Sequence, residues 1–499
     1  MVNVEITACH QLQPAKKAEL PQSTTLSNLE ATFYYARVPF VWLFDKPLVE
    51  TTNISKDLQQ SLTLLLDKYP HYAGKLSLDK KVTLRWGTEQ DPGLEYIEAA
   101  CALPLDDLLP PEIPVESRDW PFVWDRADNN CNELCFSKPV DLSYNVRVQT
   151  TLFKCGGFAI AIVWNHALAD GGSLVRFMRC WSEIHEAIYN PAPENVPFQI
   201  PTTGMLFDTM LLDQKLAAEV VQDNASDADM LRLARSLPTV NADMAIMESV
   251  GRSNVKGLNE EPQVMASIML HFPADQINLI QKDASDEIGG HVGWEASILG
   301  YIWCLINRAR DLHDDSEAVD LFLPMDIRPR LGLPTELMGS PILTVRARST
   351  GRDSCKTPAT LASTIKNTLG EFDSKAVLAA VYDAASHDPK FGQVSMGRHS
   401  LIYTSMSRLS IYDLTFSGGK ARLGSASFVG RGGWILLTEA ESRETASKET
   451  RGVQFDTASI PQHGVNVFFE IPEGVKGRLC DEVVSESKKR RARYVLTRL

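Results

Sequence analysis

The sequence lacks the short signatures that most readily name a chemistry. No Gly-x-x-x-x-Gly-Lys-Ser/Thr stretch occurs, which argues against a P-loop nucleotidase. No Gly-x-Ser-x-Gly elbow occurs either, and that lowers the case for a serine hydrolase. His185-Glu186 opens like a zinc-protease helix, but Tyr189 stands where the second histidine belongs. Gly430-Arg-Gly-Gly433 falls short of a dinucleotide fingerprint and reads as a turn between strands. The nine cysteines are scattered; Cys131 and Cys135 are the closest pair, and no second pair follows at zinc spacing. No metal site is therefore expected, and the thiols read as reduced, in an intracellular protein. No apolar run is long enough to span a membrane. The N-terminus, Met1-Val-Asn-Val-Glu-Ile, lacks a basic region followed by an apolar core, so no secretory signal is expected. Positive charge is in deficit, with 50 Lys+Arg against 63 Asp+Glu and a formal net charge of −13. That speaks against non-specific nucleic-acid binding but does not exclude a local basic pocket for a phosphorylated cofactor.

What is present is a soluble globular composition, 44% hydrophobic and 23% charged. At 499 residues the chain exceeds one ordinary core, so two domains are expected. The organising stretch is Phe158-Ala-Ile-Ala-Ile-Val-Trp-Asn-His-Ala-Leu-Ala-Asp-Gly-Gly-Ser173. Its apolar start, Phe158 to Trp164, has the length of a buried strand. From Leu174 the spacing becomes helical, through Phe177, Met178, Trp181, Ile184 and Ile188, with Ser173 as the expected N-cap. His166 and Asp170 lie between strand and helix, followed by Gly171 and Gly172. A neutral imidazole held there could act as a general base near neutral pH. The competing reading is an ordinary loop histidine and an aspartate that merely caps the helix.

Along the chain, Tyr35–Leu48, Lys80–Trp86, Tyr144–Phe153, Met265–Phe272, Ala318–Met325, Ile342–Ala347 and Gly464–Ile471 read as strands. Helical spacing marks Leu58–Tyr69, Met205 to about Leu237, Ala274–Asp283, Gly293–Arg310, Thr360–Phe372 and Ala376–Ala385. Tyr144–Phe153 is expected to pair with Phe158–Trp164 across Lys154-Cys-Gly-Gly157. Leu103 to Trp124 is proline-rich and reads as a surface loop. Four prolines between Asn190 and Pro201 mark a connector. The expected domains are residues 1–200, a crossover at 201–240, and residues 241–499.

His166-Ala-Leu-Ala-Asp170-Gly171 matches the His-x-x-x-Asp-Gly motif of the BAHD acyltransferases, and further segments follow in that family's order. Leu26-Ser-Asn-Leu29 resembles its Leu-Ser-x-Leu segment, and Tyr72-Ala-Gly-Lys-Leu76 its Ala-Gly-Arg-Leu. Val292 to Arg310 is similar to its long helix, and Met325-Asp-Ile-Arg328-Pro-Arg330 with Met338-Gly339-Ser340 to its arginine strand and Gly-Asn. Thr404-Ser405-Met406 and Thr415-Phe-Ser-Gly-Gly-Lys420 align with Thr-Ser-Trp and Asp-Phe-Gly-Trp-Gly-Lys.

The resemblance implies an α/β protein of two similar-sized chloramphenicol acetyltransferase-like domains, with mixed sheets, flanking helices and a tunnel at the interface. It implies that His166, the general base, frees an acceptor hydroxyl or amine of a small secondary metabolite to attack an acyl-CoA thioester. Asp170 becomes a structural support that holds the loop through an arginine. Thr404 or Ser405 becomes the donor to the oxyanion, and Gly171, Gly419 and Lys420 the candidates on the CoA side. No permanently bound cofactor is implied, and a cytoplasmic monomer is expected; Thr497-Arg498-Leu499 only loosely resembles a peroxisomal address. Four positions depart from the pattern: Thr415 for aspartate, Ser417-Gly418 for Gly-Trp, and Met406 for tryptophan. The missing aspartate is expected to leave Arg328 without its partner. These departures keep a second reading open, the same fold acting without CoA as a cyclising, condensing or isomerising enzyme. A third, a non-catalytic binding protein, is disfavoured by the intact His-to-Gly motif.

Overall fold

The computed structural model describes residues 4–16, 20–51, 53–109, 122–125, 132–135, 137–190, 204–222, 226–239, 264–387, 399–426, 433–441 and 460–496. Cys131, most of Gly430–Gly433, the proline connector and Thr497–Leu499 lie outside the described residues. Among the described residues no helix is long and apolar enough to cross a membrane. All eight described cysteines are free.

Two seven-stranded mixed sheets carry the fold. The first runs in the order Val4–Leu12, Leu94–Cys101, Val146–Phe153, Phe158–Asn165, Arg37–Phe44, Gly419–Ala426, Thr415–Phe416. The second runs Ile342–Thr350, Ala318–Asp326, Leu401–Met406, Trp434–Glu439, Val465–Pro472, Met265–Phe272, Phe122–Asp125. The hairpin read from the sequence is present, with Val146 opposite Trp164 and Leu152 opposite Phe158. Every residue of Phe158–Asn165 is buried, as an uninterrupted apolar run in mid-sheet requires.

Each sheet borrows a strand from the far part of the chain. Gly419–Ala426 joins the first sheet beside Arg37–Phe44, pairing Ser425 with Val41 and Gly424 with Trp42. Phe122–Asp125 joins the second, pairing Trp124 with Met269 and Val123 with Leu270. This corrects the surface loop expected through Trp124. The proline-rich approach hides a four-residue strand whose partner among the described residues is remote in sequence, and local composition carries no trace of that partner.

Three helices begin two to four residues before their apolar spacing suggests, because their caps are polar. Asn53 caps Ile54–Lys68, Thr357 caps Pro358–Gly370 and Asp373 caps Ser374–Ala385, each side chain accepting a first-turn N–H. Ala274–Ile288 ends at Gly289, which takes the left-handed conformation at φ 71°. The expected acidic helix after Met205 is two helices, Leu211–Gln222 and Asp227–Ser236.

The packing falls into two large apolar cores. One gathers Phe40, Trp42, Phe44, Phe158, Ile160, Ile162, Trp164, Phe177 and Trp181 under the helix Gly171–Tyr189. The other surrounds the helix Trp294–Ala309, which is buried on nearly every side. Each large side chain so buried contributes about 1.5–3 kcal/mol. Within the second core, Gly300 lets two helices touch backbone to backbone. A Cβ there would lie 2.5 Å from Ala362 N and 2.7 Å from Pro358 O.

That contact is testable. In an open helix Gly→Ala gains about 1 kcal/mol from propensity alone. Gly300→Ala is instead expected to lose about 1–3 kcal/mol by overpacking. A lowered urea midpoint would show it; a raised midpoint would mean the helices are not in backbone contact.

Candidate active site

His166 occupies the turn between the strand Phe158–Asn165 and the helix Gly171–Tyr189. The turn is fastened from both sides. Asn165 donates from Nδ2 to Tyr34 O at 3.2 Å, and its Oδ1 accepts the Ala167 N–H at 3.0 Å. The His166 N–H donates to Ala36 O at 3.0 Å. Phe33 stacks on the imidazole, with ring centroids 4.8 Å apart and planes 22° from parallel. Ser340 lies against the ring, its Oγ 3.0 Å from His166 Nδ1, and donates to the His166 carbonyl.

Asp170 points away from the imidazole and does two jobs. Its Oδ1 accepts the Ser173 N–H at 2.8 Å, so Asp170, not Ser173, is the N-cap of the helix. The expectation placed the cap too late because the apolar spacing starts at Leu174, whereas the helix begins with two glycines that carry no such signal. Asp170 Oδ2 meets Arg328 Nη1 at 2.6 Å. Arg328 is 4% exposed, and every edge of its guanidinium is used. Nη1 also meets Asp326 Oδ1 at 3.0 Å, Nε donates to Leu337 O at 2.9 Å, and Nη2 to Ser173 Oγ at 3.3 Å and Gly339 O at 3.4 Å. Backbone pairing runs alongside, with Asp170 N donating to Gly339 O at 2.9 Å.

The expectation that Thr415 deprives Arg328 of its carboxylate is therefore overturned. Asp170 and Asp326 supply two. Thr415 is instead tied to the helix Gly171–Tyr189 through its backbone: Ser182 Oγ donates to Thr415 O at 2.6 Å and accepts the Thr415 N–H at 3.1 Å. The same helix holds Ser417 through His185 Nε2 at 2.8 Å and the Gly418 N–H through Glu186 Oε1 at 3.0 Å.

Strand alternation separates the two oxyanion candidates. On Leu401–Met406, Tyr403 and Ser405 share one face; Thr404 and Met406 share the other. Tyr403 belongs to the second core and donates to Glu295, and Ser405 Oγ lies 2.9 Å from Ser407 Oγ. Met406 belongs to the first core and closes on the His166 loop, where a Cβ on Gly171 would meet its sulfur at 2.6 Å. Gly171 is thus a packing glycine for Met406. Thr404 stands on the side of the strand that faces the loop.

Gly419 and Lys420 sit elsewhere, on the next-to-last strand of the first sheet, opposite Phe416 and Thr415. A Cβ on Gly419 would meet Asp45 O at 2.7 Å and Lys46 O at 3.3 Å, and the Lys420 side chain is exposed. Among the described residues no group of three or more His, Cys, Asp or Glu is placed to hold a metal. Reading the sequence missed Phe33, Asp326 and Glu30 as parts of the site and took Ser340 only as a family position. Asp326 lies inside a segment already noted and Glu30 adjoins another, but nothing local marks the first as paired or the second as buried.

Burial pushes the His166 imidazole below its ordinary value; a hydrogen bond to its own carbonyl and the charge of Asp170 act the other way. The neutral, proton-accepting form therefore prevails at pH 7 and persists into mild acid.

The fold and this loop define an α/β acyltransferase of two chloramphenicol acetyltransferase-like domains. Residues 2–454 match the model of the Transferase family, and the chain belongs to that family, the BAHD acyltransferases. It is a transferase enzyme. It is 33% identical to acyltransferase AFT15-1 of Alternaria alternata over 94% of this chain and 95% of that protein. Vinorine synthase superposes with a TM-score of 0.64 at 18% identity, covering 97% of this chain and 98% of that one. F. graminearum TRI101, complexed with coenzyme A and deoxynivalenol, superposes with a TM-score of 0.64 at 14% identity, covering 92% and 96%.

Two outcomes follow from the geometry. Asp170→Ala strands a buried guanidinium and is expected to cost about 3–5 kcal/mol, while Asp170→Asn, which keeps the cap oxygen, costs less. Thermal melts of the two variants check this, and a wild-type melt for Asp170→Ala would dismiss the pair as a support. For activity, protonation of His166 removes the base, so kcat/KM falls as pH drops through its pKa. A lowered pKa moves that limb to below about pH 6.5. An acid limb at or above pH 7 would contradict the desolvated imidazole.

Proposed function

We propose that this enzyme transfers an acyl group from a CoA thioester to a hydroxyl or amine of a small secondary metabolite, with His166 as the general base. The observation that carries the reading is the His166 imidazole itself: neutral, half-buried, and fixed in a strand-helix turn whose aspartate is turned away to Arg328. Support comes from the solved neighbour that holds coenzyme A together with deoxynivalenol in this fold.

In this reading the imidazole takes the proton from the acceptor as its oxygen or nitrogen bonds to the thioester carbonyl carbon. The carbonyl oxygen becomes an oxyanion, and Thr404 donates to it. Collapse expels the CoA sulfur, which takes the proton back from the imidazolium, so the base is restored without a net change in charge. Positioned base catalysis supplies roughly a hundred- to ten-thousand-fold. One donor aimed at developing charge supplies about 3 kcal/mol.

The reading in which CoA is dispensed with drew on the missing aspartate at Thr415. With Arg328 paired by Asp170 and Asp326, no charge is left over at that point, and this ground for it is gone.

The test is free-thiol release from a panel of acyl-CoAs, with metabolite extracts as acceptors. Release should require an acceptor, and His166→Ala should lower it by at least about a hundredfold. Thr404→Val is expected to lower kcat by about 10²–10³ while Ser405→Ala leaves it within a few-fold. The reverse ranking would reassign the oxyanion donor. Silence across the panel, with no CoA bound by calorimetry, would favour the CoA-independent reading.

A further inference from the structure

The residue that touches His166 most directly is not in the motif. Ser340 is fully buried and lies 174 positions away, after Gly339. Its hydroxyl has one proton and donates it to the His166 carbonyl. Toward Nδ1, 3.0 Å away, it can then offer only a lone pair, so Nδ1 must carry the hydrogen. That leaves the lone pair of the ring on Nε2, the edge opposite Ser340. A backbone that could drift would make this a weak constraint, but it is pinned. The Ser340 N–H donates to Glu30 Oε1 at 3.2 Å, and Glu30 Oε2 accepts from Ser27 Oγ at 2.8 Å. The carboxyl fills the space a side chain on residue 339 would need: a Cβ on Gly339 would lie 2.1 Å from Glu30 Oε1, and Gly339 has φ 121°. Gly339 is glycine because Glu30 is there.

We propose that Ser340 is a positioning residue that, together with the imidazole's hydrogen bond to its own carbonyl, sets the tautomer and orientation of His166, and that Glu30 is the support that holds Ser340 in place. The proposal rests on the reading of His166 as the base. It deepens that reading by saying why Nε2, rather than Nδ1, presents the lone pair. The other charged groups felt by Glu30 are Arg328 and Asp213; burial dominates and pushes its carboxyl up to about 7. In either protonation state its Oε1 can accept from the Ser340 N–H.

The experiment uses the full-length protein with ¹⁵N-labelled histidine at pH 8, where His166 is neutral. Long-range ¹H–¹⁵N correlation distinguishes an imidazole protonated at Nδ1 from one protonated at Nε2. The His166 signals are assigned as those lost in His166→Ala. Wild type is expected to show His166 protonated at Nδ1. Ser340→Ala, a near-isosteric change, should mix in the other tautomer and lower kcat roughly fivefold, the worth of one hydrogen bond, with KM for acyl-CoA unchanged. Glu30→Ala should move the signals in the same direction, whereas Glu30→Gln, which keeps an accepting oxygen, should restore the wild-type pattern. A wild-type His166 protonated at Nε2, or a Ser340→Ala spectrum identical to wild type, would overturn the proposal. A shift in Ser340→Ala without one in Glu30→Ala would overturn the part assigned to Glu30. The spectrum is independent of turnover: if His166→Ala keeps full activity, the general-base reading falls, while the tautomer still decides the role of Ser340.

Discussion

The buried Arg328–Asp170 contact is the constraint on which the site depends. A guanidinium withdrawn from water is tolerable only if its donors are met, and here carbonyls and carboxylates from several segments converge to meet them. The converging pieces are the start of the helix Gly171–Tyr189, the end of the strand Ala318–Asp326 and the Leu337–Gly339 segment. Satisfying one charge therefore fixes three pieces of chain from both halves of the molecule. The His166 turn lies at their meeting point.

Three histidines withdrawn from water show what distinguishes a catalytic candidate from a packed one. His71 stacks on Phe207 at 3.7 Å, and burial lowers it to about 3. His185 bridges Ser61 and Ser417 through its two ring nitrogens, and burial lowers it to about 4. Both rings are closed off, at 4% and 0% exposure. His166 shares their loss of hydration but keeps part of its surface open. Desolvation makes an imidazole neutral, and exposure lets it meet a reactant. Of these three only His166 has both.

Much of this was legible before any coordinates. The switch from an apolar run to helical spacing located the turn at His166, and the resemblance anticipated Asp170 turning to an arginine. What could not be read is everything that depends on a partner across the chain. Alternation identifies a strand but not its neighbour, which is why Phe122–Asp125 passed as loop. The same blindness hid the Ser340 contact and left Thr404 and Ser405 undivided. Their separation needed only the face on which Met406 lies, and that is a fact about the opposite core. The inference that Thr415 orphaned Arg328 failed for a related reason. It treated one absent carboxylate as a deficit without knowing that two others were within reach.

The borrowed strands have a consequence for how the protein is made. Gly419–Ala426 covers the flank of Arg37–Phe44, yet it is synthesised some 250 residues after the Phe158–Asn165 strand is complete. At ordinary ribosomal speed, about 5–20 residues per second, that is a wait on the order of tens of seconds. Throughout it, an apolar strand with unpaired amides stands at the margin of a nascent sheet, the kind of surface that recruits other chains. The early segment is therefore not a self-sufficient folding unit. That margin of the growing sheet is closed only when the last quarter of the polypeptide arrives.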